Sequence, residues 1–227
     1  MNVLGLKVNR RHFILSGTAA SLLTGLTLQS HAQQKPSAAS DKRGAVILVV
    51  GDSLSAEYGL KRGEGWVSLL EKRIADQRIS ASVVNASISG DTTSGGRSRL
   101  PALLAQHKPT HVILELGGND ALRGLPLKGT EDNLNQMARA SQEAGAKVLL
   151  VGMQVPPNYG GDYTRKFEGM FKTVATANKA ALVPFLLKGV ADAQEASTLF
   201  QADRIHPVAG AQPKMLDNVW PELKKLL

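Results

Sequence analysis

Serine 53 stands in Gly51-Asp52-Ser53-Leu54-Ser55, just behind the apolar run AVILVV, and histidine 206 follows an aspartate by three positions in Asp203-Arg204-Ile205-His206. A serine hydroxyl becomes a nucleophile only when a base takes its proton, and that base is usually an imidazole oriented by a carboxylate. A spacing of three on one turn can set the Asp203 carboxylate beside the His206 ring and fix its tautomer. Taken alone, each feature has an equally good structural reading: serine is common in turns, and D-x-x-H arises by chance. Asn119, in Gly117-Gly118-Asn119-Asp120, is either a turn residue or an amide donor to a developing oxyanion, with the Ser53 and Gly90 N–H groups as the other donors. The other two histidines of the domain, His107 before Lys108-Pro109 and His111 at the start of an apolar run, read as surface or edge residues.

The elements that must position these residues alternate along the chain. Short β-branched or Leu-rich runs at 45–50, 81–88, 111–116, 147–155 and 181–186 read as strands, and residues 66–77, 94–106, 130–144, 163–178 and 209–226 carry apolar residues at helical spacing. Thr130-Glu131-Asp132 reads as a helix start and Gly145 as its stop. Five strands separated by helices predict an α/β fold, a parallel sheet covered on both faces in three α/β/α layers. In such a sheet the ligand site lies outside the carboxyl ends of the strands. The loops found there are 51–53, 89–96 and 117–120, rich in Gly, Ser, Asp, Thr and Asn, and the 203–206 segment is the fourth candidate.

Composition removes several chemistries. The chain has no cysteine, which excludes disulfides, thiolate nucleophiles and zinc–thiolate sites. Its net charge is +8, of which Lys7, Arg10 and Arg11 belong to the N-terminal stretch; the remaining +5 is scattered, without the aromatic interleaving or basic helix that would track phosphates, so no nucleic-acid partner is expected. Transient contact with an anionic membrane surface fits this charge. The segment SGDTTSGGRS is not a P-loop, because Gly96 and Arg97 stand where Lys and Ser or Thr would be required. Residues 1–32 read as an export signal: Arg10-Arg11 before Phe13-Ile14 resembles a twin-arginine motif, and Ser30-His31-Ala32 supplies a cleavage site. Residues 33–43 read as a flexible lead-in and 44–227 as one domain.

The blocks GDSLS (51–55), ISGDTT (88–93), GGND (117–120) and DRIHP (203–207) occur in the order and approximate spacing of the SGNH, or GDSL, hydrolases. The chain resembles that family over essentially the whole domain. VVNASISGDTT, RLPALLAQHKP, LELGGNDALRGL and PPNYGGDY are similar to its periplasmic thioesterase I, protease I and lysophospholipase group. The resemblance implies a flavodoxin-like fold, Ser53 as nucleophile, His206 as general base, Asp203 as its orienting partner, and an oxyanion hole of Ser53 N–H, Gly90 N–H and the Asn119 side chain. It implies a monomeric exported enzyme that cleaves small acyl esters and thioesters with no metal or organic cofactor. Leu122, Leu125, Val155 and Pro156, by loop position, are candidates for an acyl groove. Glu57 and the stretch 60–65 depart from the group's pattern and leave the rim near the serine undefined. Two alternatives are a metal-dependent phosphoesterase, for which three domain histidines are a thin ligand supply, and a non-catalytic binding protein on the same fold.

Overall fold

The computed structural model describes residues 44–227; the readings of an export signal at 1–32 and a linker at 33–43 lie outside the described residues. Along the chain run β1 (Ala45–Gly51), α1 (Trp66–Asp76), β2 (Ala81–Asn85), α2 (Thr93–His107), β3 (His111–Glu115), α3 (Gly118–Leu122), α4 (Leu127–Glu143), β4 (Lys147–Val151), α5 (Gly161–Ala177), β5 (Ala181–Val183) and α6 (Gln212–Lys224). All strand pairs are parallel, in the order β2-β1-β3-β4-β5.

Ile47 to Val50 are wholly buried because both faces of β1 are covered, as a central parallel strand requires. The two-residue period of the strand then sorts them: Ile47 and Val49 join Leu70 of α1 and Met215, Val219 and Leu223 of α6. Leu48 and Val50 pack on the other side with Leu100 of α2, Leu134 and Met137 of α4, and Phe167 and Phe171 of α5. The expected three-layer sandwich is therefore present. The chain passes outward from β1 to β2 and returns to β3 on the far side of β1, so the connections diverge between β1 and β3. Loops leaving those two strands part there and open a crevice.

Element boundaries differ from the sequence reading where side chains take over backbone roles. β2 stops at Asn85 rather than 88, since the Asn85 amide donates to the Ser55 carbonyl at 2.8 Å and its oxygen accepts from Ser87 N–H at 3.1 Å, turning the chain. β4 stops at Val151 and β5 has three residues. The helix expected at 130 begins at Leu127, because the Thr130 hydroxyl donates to Asp120 at 3.2 Å instead of capping. His111, expected at the surface or an edge, is buried: its Nδ1 pairs with Thr110 Oγ1 at 2.8 Å and its Nε2 with the Leu226 carbonyl at 3.0 Å.

Candidate active site

β1 ends on Gly51, where an added Cβ would lie 2.8 Å from Glu115 Oε2 and from Ser55 Oγ, so only glycine lets the strand run this close to its neighbours. The chain then turns: Ser55 and Ala56 N–H donate to the Asp52 carbonyl at 3.2 and 3.0 Å, and Leu54 N–H donates to Asp52 Oδ1 at 3.0 Å. Ser53 sits on this turn.

His206 comes from a loop that is pinched at its base. Phe200 and Pro207 form an antiparallel bridge, and Gln201 N–H donates to the His206 carbonyl at 2.8 Å. Within the loop Asp203 Oδ1 accepts the N–H groups of Ile205 and His206 at 2.9 and 3.0 Å, while Oδ2 lies 2.7 Å from His206 Nδ1. Hydrogen bonds from the His206 backbone, the His206 ring and the Ile205 backbone hold the Asp203 carboxyl down at about 2, so it is a carboxylate at neutral pH. A carboxylate can only accept, so Nδ1 donates, and the neutral ring presents Nε2 as an acceptor. That nitrogen lies 2.8 Å from Ser53 Oγ, across 153 positions of sequence. The Tyr58 ring covers the imidazole with centroids 4.3 Å apart, and the Gln201 amide donates to the Tyr58 carbonyl at 2.9 Å.

The three expected oxyanion donors border the same cavity as Ser53 and His206. Gly90 holds φ at +80°, a left-handed conformation that glycine adopts without strain, and its carbonyl accepts from Arg123 at 2.7 Å. Asn119 belongs to α3, and its Nδ2 donates to Asp52 Oδ2 at 3.1 Å. Among the described residues no acceptor takes the Ser53 or Gly90 N–H. Asp120, buried behind them, accepts from Thr93 N–H at 2.9 Å, from the Thr93 hydroxyl and from the Thr130 hydroxyl, and so joins the starts of α2, α3 and α4.

At the serine turn lie two buried carboxyl groups, Asp52 and Glu115, that no local pattern pairs. Glu115 Oε2 accepts from Ser55 Oγ at 2.7 Å and from Asp52 N–H at 3.4 Å. Burial, with the neighbouring Asp52 charge second, pushes the Glu115 carboxyl well above its ordinary range. Burial also raises Asp52, to about 6, against the pull of the Leu54 N–H, the Asn119 amide and the His206 ring.

The cavity, about 700 Å³, is the size of a small-molecule site. Leu122, Val155 and Pro156 line it as expected; Leu125 does not, and stands exposed at the surface. Met153, Phe185, Leu187 and Phe200 add to its apolar lining, and sequence reasoning missed them because their segments carry no motif; Leu54 and Ile205 border it too, from within the GDSLS and DRIHP blocks. At the rim, Glu57 accepts from Gly65 N–H at 2.9 Å and Ser68 Oγ at 2.8 Å and organises the stretch that departs from the family pattern. Among the described residues no group of three His, Asp or Glu side chains is gathered as a metal would require.

The profile of the GDSL-like Lipase/Acylhydrolase family matches residues 49–211. Esterase TesA of Pseudomonas aeruginosa is 51% identical over 217 residues, 96% of this chain and 100% of that one. Thioesterase 1/protease 1/lysophospholipase L1 of Escherichia coli K12 is 40% identical over 181 residues, 80% of this chain and 84% of that one. The crystal structure of the psychrotrophic esterase EstA from a Pseudoalteromonas species, inhibited by monoethylphosphonate, superposes with a TM-score of 0.75 at 42% identity, covering 79% of this chain and 97% of that one.

Proposed function

The chain belongs to the GDSL-like lipase/acylhydrolase family and is an ester hydrolase, and from that premise we propose that it works through a Ser53-His206-Asp203 triad and a covalent acyl-enzyme. Ser53 Oγ attacks the carbonyl carbon of an ester while its proton passes to His206 Nε2. The Asp203 carboxylate holds the ring in the accepting tautomer and stabilises the imidazolium that forms. The tetrahedral oxyanion is received by Ser53 N–H, Gly90 N–H and the Asn119 amide. His206 then gives its proton to the leaving alcohol or thiol. Water, deprotonated by the same nitrogen, releases the acid and restores the serine.

The observation that carries this reading is the continuous path from Asp203 Oδ2 to Nδ1 at 2.7 Å and from Nε2 to Ser53 Oγ at 2.8 Å. The apolar lining of the cavity, Met153, Val155 and Phe185 among it, supports an acyl chain bound there. Acyl-thioesters and lysophospholipids, named for the Escherichia coli relative, are proposed as substrates beside simple aryl and alkyl esters. Ser53→Ala should lower turnover of an aryl ester and an acyl-thioester by on the order of 10⁴ to 10⁶. A serine-directed phosphonate should add its mass at Ser53, and a chelator should leave turnover intact. Undiminished turnover in the variant refutes the triad, and loss on chelation alone points to a metal-dependent phosphoesterase.

A further inference from the structure

We propose that Asp52 is a positioning residue for the oxyanion donor: its carboxylate selects the orientation of the Asn119 side chain and aims that amide's second hydrogen into the cavity. The inference rests on the oxyanion-hole reading of Asn119.

An asparagine amide is two-faced, with a two-fold torsion that exchanges donor and acceptor, so packing alone does not decide which edge faces the substrate. Asp52 decides it here. Its Oδ2 accepts one Nδ2 hydrogen at 3.1 Å, an arrangement that the opposite flip would replace by two oxygens in contact. With that hydrogen engaged, the planar amide sends its partner in a fixed direction, and Asn119 borders the cavity that also holds Ser53 and Gly90. The other oxygen of Asp52 accepts from Leu54 N–H at 3.0 Å, one residue past the nucleophile. A single carboxylate therefore braces the serine turn and the amide donor together, which is the fixed geometry an oxyanion site needs before reaction begins.

The charge required on Asp52 is set by its surroundings. Glu115 faces it from β3, His206 from the loop before α6 and Asp91 from the loop before α2. Two adjacent buried carboxyls do not both ionise readily. Each carboxyl has two donors, but Asp52 also has the His206 imidazole to stabilise its charge, whereas the charge that acts on Glu115 is that of Asp52 itself, and Glu115 keeps its proton.

Asp52→Asn tests the role, because an amide offers one acceptor where the carboxylate offers two, and either Leu54 N–H or the Asn119 amide must then face an NH₂ group. We expect kcat to fall about 10- to 100-fold with KM within about threefold, against about 10² to 10³ for Asn119→Ala. In the Asn119→Ala background the same change should cost less than about twofold more, since its effect passes through a side chain already removed. Full additivity, or an effect on KM alone, overturns the proposal. If Asp52→Asn does not fold, wild-type protein labelled with ¹⁵N-asparagine provides the test. In the Asn119 Nδ2 pair, assigned by its absence from Asn119→Ala, the hydrogen held by Asp52 should lie downfield and move as pH crosses about 6. A pair whose shifts do not respond to pH overturns the proposal. If Asn119→Ala itself leaves kcat intact, the oxyanion reading fails first and takes the positioning role with it.

Discussion

Replacing Glu115 by Gln should flatten the dependence of stability on pH, and the size of the effect can be worked out. Glu115 is 3% exposed, and burial, followed by the Asp52 charge, pushes its carboxyl well above the ordinary value of 4.5. In the unfolded chain the same group ionises near that ordinary value. Above it the folded state therefore holds a proton that the unfolded state has released, and stability falls as pH rises, by up to about 1.4 kcal/mol per pH unit. Gln has the shape of the protonated acid and no proton to lose, and its oxygen can still accept from Ser55 Oγ and Asp52 N–H. From pH 5 to pH 7 the wild type should thus lose stability relative to Glu115→Gln, by at most about 2 to 3 kcal/mol, which is the full slope over two pH units. At roughly 2 to 4 °C per kcal/mol for a chain of this size, the gap in Tm should widen by up to about 5 to 10 °C. Asp203 and Glu57, whose carboxyls are held low, act at more acid pH and cancel between the two proteins, while Asp52, raised to about 6, titrates in both and its charge is part of what raises Glu115. Thermal unfolding followed by circular dichroism at pH 5, 6 and 7 gives the measurement. A Tm gap that stays constant over this range would mean that Glu115 is ionised in the folded protein, and the reasoning would be refuted.

Two other substitutions probe the serine turn and the histidine loop. In Asp203→Asn the amide must turn its NH₂ toward the backbone N–H groups of Ile205 and His206 or toward Nδ1, and the second choice forces the tautomer whose Nε2 cannot take the serine proton. We expect kcat to fall by about 10² to 10⁴ in steady-state assays; a loss under tenfold would contradict the tautomer argument. Gly51→Ala forces a methyl to within 2.8 Å of Glu115 and Ser55 and should cost about 1 to 3 kcal/mol in urea unfolding, so an unchanged midpoint would speak against the tight approach.

The sheet was legible in the sequence because parallel strands buried on both faces read as unbroken apolar runs, as in AVILVV. The short helix Gly118–Leu122 was not: it opens on two glycines and is too brief to express a helical period, so GGND reads as a bend. The triad could be named from motifs, yet its convergence could not, since Ser53 and His206 meet across the sheet's carboxyl edge and no local pattern records that meeting. The carboxyl pair was hidden for the same reason. Glu115 looks like the polar end of a strand until the register Gly51 to Glu115 sets it under the nucleophile turn. Leu125 misled by position: it follows α3 at the right place in sequence, but it stands exposed and does not border the cavity.

The pinched loop that carries Asp203 and His206 is closed on itself by the Phe200–Pro207 bridge and by the aspartate's own bonds to the two residues that follow it. The proton-handling half of the machinery is thus a prefabricated cartridge, and the nucleophile is the part it must be docked against. The pairing of imidazole and carboxylate is therefore set inside the loop, and what the rest of the fold must supply is the seat, with Tyr58 beside it, that brings Nε2 to the serine.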